Sequence, residues 1–249
     1  MRRVPDWLIQ TVTVIVVLAA WEAAARTGHT DPFYAPAPSV IWSALSELFA
    51  GGEIWSHLYA TFSAAMIGLV LGAILGTLLA VLSVMARPAR ILLAPLMGAL
   101  NAVPRIVLAP LLVIWFGIGI ASKAALAVLL VSVLMFFAVF SAVAGVDRRL
   151  LERVQTLGGS RLLILREVYL PSVASLMLSS LKVAVGFAFT GAIVGEFVAS
   201  SRGLGYLLSF AQSTYNTALS LALVALIMVF VMSLLALAGR LERRLTKWR

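Results

Sequence analysis

Two ionisable residues, Arg105 and Glu196, fall inside long apolar runs, Arg105 near mid-run and Glu196 toward one end. A charge at membrane depth is costly and faces a bundle interior or water. Two chemistries fit: an ion pair between the two, or a polar gate on a solute path. A cationic Arg105 on such a path favours an anionic solute. Lys182 also lies within an apolar run, nearer its inner end, where it can snorkel to the interface. Other chemistries lack their residues. His29 and His57 are far apart and have no metal-ligand spacing. The few acids are scattered over different loops, and no nucleophile–base pair is evident. Gly117-Ile-Gly119-Ile-Ala-Ser122-Lys123 superficially resembles a phosphate loop. It lacks the second spaced glycine before the lysine, and Ala124 stands where Ser or Thr is needed. No ATP site is expected on this chain.

The elements that hold these residues are membrane spans. Of 249 residues, 62% are hydrophobic and 12% charged. Soluble domains carry about 25% charged residues. Several runs are long enough to cross about 30 Å of hydrocarbon. The expected fold is an all-α membrane protein of about six helices: Trp7–Ala25, Leu58–Met85, Ile91–Ile118, Ala124–Val146, Val173–Ala199 and Ala218–Ala238. Pro5, Asp6 and Glu22 fit a cleavable leader poorly, so the first run is read as a retained span. The chain reads as one transmembrane domain over residues 1–249.

Lys and Arg placement sets the orientation. With the N-terminus inside, the inner segments hold Arg2, Arg3, Arg87, Arg90, Arg148, Arg149, Arg153, Arg161 and Arg166, and the C-terminal tail adds more. The outer segments hold only Arg26, Lys123 and Arg202. Both termini are therefore expected in the cytoplasm. The net charge of +9 sits at span ends and not on one soluble face, which argues against nucleic acid. The absence of cysteine excludes disulfides and thiolate metal sites.

Between the first two spans, Pro32, Pro36 and Pro38 keep the chain extended. Val40, Ile41, Ala44, Leu45, Leu48 and Phe49 then recur with helical spacing, which predicts an amphipathic helix on the outer interface, within about residues 36–56. The second span carries Gly68, Gly72 and Gly76 between Ala64 and Ala80, every fourth residue. Small residues in a row admit a second helix backbone, either in the same protomer or across a dimer seam. Pro95, Pro104 and Pro110 interrupt the third span, with Asn101 and Arg105 between them. Each proline removes a donor and frees an upstream carbonyl. Broken backbone at membrane depth must face protein or a wet cavity. Asn101, Pro104, Arg105, Pro110 and Glu196 are thus the candidates for a path or gate.

One long polar segment, about residues 147–171, faces the cytoplasm. Leu150 to Leu157 reads as a short amphipathic helix. Gly158-Gly159 permits a sharp bend. Ser160 is placed to cap a second helix carrying Leu162, Leu163 and Leu165 on one side and Arg161 and Arg166 on another. Pro171 closes it and opens the next span. The result is a bent elbow that another protein can grip.

This elbow resembles the cytoplasmic coupling loop of ABC-importer permeases that work with a solute-binding protein. That family's pattern is Glu-Ala-Ala, three residues, Gly, nine residues, Ile, one residue, Leu-Pro. The chain offers Glu152, Gly158, Val168, Leu170 and Pro171 at that spacing, with Arg153 and Val154 in place of the alanines. Pro36-Ala-Pro38-Ser39, Leu108 to Gly119, Ser200 to Tyr206 and the closing Leu241 to Arg249 resemble the nitrate/sulfonate/taurine branch. The resemblance implies a multi-pass protein of the bacterial inner membrane. It implies a homodimer, two cytoplasmic ATPase subunits that bind ATP and Mg, and a binding protein on the outer face. This chain would be neither an enzyme nor a cofactor carrier. The ATPase would be met by Glu152, Thr156, Leu157, Gly158, Gly159, Arg161, Leu162, Leu165 and Pro171. Glu152 would orient the elbow, Gly158 would set its bend, and Leu162 and Leu165 would fill a groove or anchor it. The solute would be small, an anion such as a sulfonate, nitrate or organic carboxylate. A secondary transporter driven by an ion gradient is the alternative, against which stand the elbow and the lack of a visible internal repeat.

Overall fold

The computed structural model describes residues 5–146, 148–158, 160–164, 166 and 170–245. The protein is all-helical over these residues. The elements are α1 Asp6–Arg26, α2 Pro38–Ala50, α3 Ile54–Met85, α4 Arg87–Ala102, α5 Arg105–Phe116, α6 Ile120–Ala144, α7 Arg148–Thr156, α8 Arg161–Ile164, α9 Leu170–Val198, α10 Leu204–Ser213 and α11 Thr217–Leu245. Among them α1, α3, α6, α9 and α11 are long and apolar enough to cross a membrane, and α4 with α5 adds a broken span.

The centre of the bundle is α6, clasped between α3 and α9. Its two flanks meet small residues. A Cβ on Gly68 would lie 2.2 Å from Ala127 Cβ, one on Gly72 would lie 2.7 Å from Val131 Cβ, and one on Gly76 would lie 2.3 Å from the Ser132 carbonyl. From the other side, a Cβ on Gly191 would lie 2.7 Å from Ala127 Cα. The glycine row of the second span therefore packs within the protomer. Hydrocarbon solvent gives no hydrophobic drive between helices, so close backbone approach supplies the cohesion. Phe189, Met135 and Val131 fill the core between these three helices.

The third span departs from the single kinked helix expected over Ile91–Ile118. It is two helices bent by 109° at residues 103–104. Only Pro104 breaks the chain. Pro95 lies inside α4 and Pro110 inside α5, each costing one ladder bond without ending its helix. The half-span α4 packs Met97 against Phe136 and Val139 of α6. The half-span α5 packs Ala109 and Leu112 against Leu126.

The outer segment is as expected in outline. Pro38 sits in the first turn of α2. Glu22 of α1 fixes that turn: its carboxylate accepts from the Ser39 N–H at 3.0 Å and from the Ser39 hydroxyl at 2.8 Å. One feature was not expected. The stretch between the fifth and sixth spans folds into the short helix α10, which buries Leu204, Gly205 and Ala211.

Candidate functional site

Three regions gather the residues with chemical potential. The first is the elbow. Thr156 closes the end of α7 by donating its hydroxyl to the Glu152 carbonyl at 2.9 Å. Gly158 follows with φ of 76°, a left-handed angle that L side chains resist and that ends helices at this position. Ser160 caps α8, its hydroxyl accepting the Leu163 N–H at 3.2 Å. The bend and the cap are where the spacing places them. Glu152 is exposed, and Leu157 projects with 81% of its surface free. Ile164 of α8 is buried, at 8% exposure. Gly159 and Leu165 lie outside the described residues, as do the side chains of Arg161, Leu162 and Pro171. Pro171 itself stands in the first turn of α9.

The second region is the break between α4 and α5. Asn101 lines a cavity of about 230 Å³ walled by Leu130, Val133 and Phe137 of α6 and by Phe187 of α9. Asn101 is the polar member of an otherwise apolar wall. The extended backbone at Val103 and Pro104 lies next to it in sequence, so the interruption has a cavity beside it. Arg105 opens α5, and its side chain lies outside the described residues. Pro110 is one turn further along α5.

The third region surrounds Glu196, near the outer end of α9 and 2% exposed. Its Oε2 accepts from the Thr61 hydroxyl at 2.8 Å and from the Gly205 N–H at 3.0 Å. Thr61 in turn accepts the Leu204 N–H at 2.9 Å. The Gly203 N–H donates to His57 Nδ1 at 3.0 Å, and the His57 ring stacks on Tyr206 at 5.9 Å. The two glycines of the 203–205 turn make this wrap fit. A Cβ on Gly203 would lie 2.1 Å from Glu196 Cδ, and one on Gly205 would lie 2.3 Å from the Ile193 carbonyl. The carboxylate thus serves as the peg on which the outer turn and the start of α10 are hung. The described partners of Glu196 are Thr61 and Gly205; the proposed pairing with Arg105 involves a side chain outside the described residues. Neither Thr61 nor the role of His57 was visible in the sequence, because their partners are 135 to 146 residues away.

The peg makes a prediction. Glu196→Leu leaves the Gly205 N–H buried without an acceptor, at about 1–3 kcal/mol, and sends the Thr61 hydroxyl back to the His57 carbonyl at 3.2 Å. Detergent-solubilised protein is expected to melt several degrees lower by fluorescence-detected size exclusion. Glu196→Gln keeps one acceptor oxygen and should lose about half as much. Equal melting of wild type and the leucine variant would remove the peg from the account.

Comparison with known proteins agrees with this architecture. Residues 68–247 match the family model described as binding-protein-dependent transport system inner membrane component. The riboflavin transport system permease protein of Chloroflexus aurantiacus is 32% identical, over 95% of this chain and 88% of its own length. The taurine transport system permease protein of Escherichia coli is 28% identical, over 95% of this chain and 88% of its own. Among solved structures, an amino acid ABC transporter matches with a TM-score of 0.67 and 18% identity, covering 80% of this chain and 97% of that one. The MetNI methionine ABC transporter in an inward-facing form matches with a TM-score of 0.61 and 20% identity, covering 78% of this chain and 95% of that one. These two share the fold. The chain belongs to the binding-protein-dependent transport system inner membrane components, the multi-pass permease subunits of ABC importers.

Proposed function

We propose that this chain is one half of a homodimeric permease that carries a small anion inward, driven by ATP hydrolysis in two separate cytoplasmic subunits. The observation that carries the reading is the elbow: a capped, glycine-bent pair of short helices in which Ile164 is buried and Leu157 exposed. A rigid projection of this kind transmits motion from a partner to α6 and α9, the two spans it connects. ATP and Mg belong to the partner, and the solute is delivered by a binding protein on the outer face. The path runs beside the α4–α5 break, with Asn101 on its wall. The taurine relative supports a sulfonate, and nitrate or an organic carboxylate has the same charge. The binding protein selects among them.

The test is co-expression of the tagged chain with the ATPase of the same transport system, followed by purification in lipid. The ATPase is expected to co-purify in stoichiometric amount. A chain that purifies alone and moves solute along an ion gradient without ATP would make it a secondary transporter.

A further inference from the structure

Lys123 was expected in an outer loop. The structure puts it in the first turn of α6, where it is 3% exposed and packs against Gly195, whose missing side chain leaves it room. Among the described residues it has no ion-pair partner. The carboxylate that shares its cavity, Glu196, is occupied by Thr61 and Gly205. The Lys123 ammonium and this carboxylate share the cavity but are not within ion-pair distance, and an ammonium taken from water without a direct partner is expensive. The α6 N-terminus beside it is also open: no side chain caps it at Gly119. Its first N–H groups and the positive end of the helix dipole face the same space.

That space is a cavity of about 210 Å³ between α3, α6, α9 and the segment after α9, lined by Lys123, Arg202, Ser201, Ser56, Tyr59 and Glu196 among others. It has room for about seven waters. We propose that this cavity is a binding site for a small oxyanion, held by the Lys123 ammonium and the free N-terminus of α6. The charge balance decides for an anion. Lys123 and Arg202 contribute two positive charges, Glu196 removes one, and the helix end adds about half, for a sum near +1.5. The Tyr59 hydroxyl on the cavity wall supplies a further donor. The site lies at the outer mouth, so it deepens the reading above: the solute rests here between its release from the binding protein and its entry to the path.

The experiment is calorimetric titration of the full chain in phosphatidylcholine nanodiscs with ethanesulfonate, and separately with inorganic sulfate, at fixed sodium chloride. Wild type is expected to bind saturably. Lys123→Met should weaken binding at least tenfold, Lys123→Arg should stay within about threefold, and Arg202→Gln should weaken it about threefold, each change being the loss or retention of one charge-assisted contact. Arg202 is exposed, so its variant reports on the site even if Lys123→Met fails to fold. Absence of saturable binding by wild type, or equal binding by Lys123→Met and Arg202→Gln, overturns the proposal. Repetition in phosphatidylglycerol nanodiscs separates the sources of anion. Unchanged binding assigns the site to a dissolved solute, and abolished binding assigns it to a lipid headgroup and overturns the proposal. Co-purification of the ATPase is scored on the same samples. If the ATPase is retained while no anion binds, the importer reading stands and this one falls.

Discussion

Leucine at Gly68 or Gly76 is expected to eliminate folded permease. Even the first carbon of a side chain at Gly68 would lie 2.2 Å from Ala127 Cβ, and at Gly76 it would lie 2.3 Å from a backbone oxygen. Ordinary carbon contacts need about 3.5 Å, so the helices must part by on the order of 1 Å. The obstacles are a Cβ and a carbonyl, which cannot rotate away. Overpacking usually costs about 1–3 kcal/mol, and a shift of the backbone raises that further. The shift also strips contacts from the whole α3–α6 seam, on which the core of Phe189, Met135 and Val131 is built. The measurement is the monodisperse fraction after extraction in mild detergent, expected to fall at least tenfold. Gly98 is the control. Nothing lies within 4 Å of a Cβ there, so Gly98→Leu should extract like wild type. If Gly68→Leu and Gly98→Leu extract equally well, the row of glycines does not hold the bundle.

Valine at Gly158 should have the opposite character: an intact bundle and a failed machine. The residue sits at φ of 76°, and among the described residues nothing lies within 4 Å of a Cβ. The substitution meets none of the described atoms and acts through the backbone. A β-branched side chain is a poor occupant of the left-handed region, so the bend between α7 and α8 must change. That change moves the exposed Leu157 relative to the buried Ile164. Extraction and melting should match wild type, while ATP hydrolysis by the co-purified ATPase falls at least tenfold. Gly158→Asn should fall less, because asparagine tolerates this conformation better. Wild-type hydrolysis by Gly158→Val would show that the bend transmits nothing.

Much of this was legible locally. The long apolar runs of α3, α6 and α11 announce spans, and Arg and Lys at their ends give the orientation. The glycine row, the elbow with its Ser160 cap, and the α2 start at Pro38 are each written within a few consecutive residues. The departures are long-range. Pro95 and Pro110 look like breaks, but α4 and α5 continue through them, and only Pro104 coincides with the bend. The outer turn at 203–205 is ordered by Glu196, Thr61 and His57, and no spacing rule links residues 57, 61, 196 and 203. Lys123 looked like a loop cation, since a charge is a natural end to an apolar run. Its burial follows from Gly195 on another helix, which sequence proximity does not reveal. The segment that became α10 begins at a glycine turn whose shape depends on the same distant carboxylate.

The central claim is that a binding protein outside and an ATPase inside act on each other through this chain. The most direct measurement is ATP hydrolysis by the permease–ATPase complex in nanodiscs, before and after adding the binding protein purified from cells. The account predicts a rise of severalfold with wild-type permease and none with Gly158→Val. Hydrolysis that ignores the binding protein, together with solute uptake that follows an ion gradient in vesicles lacking ATP, would contradict it.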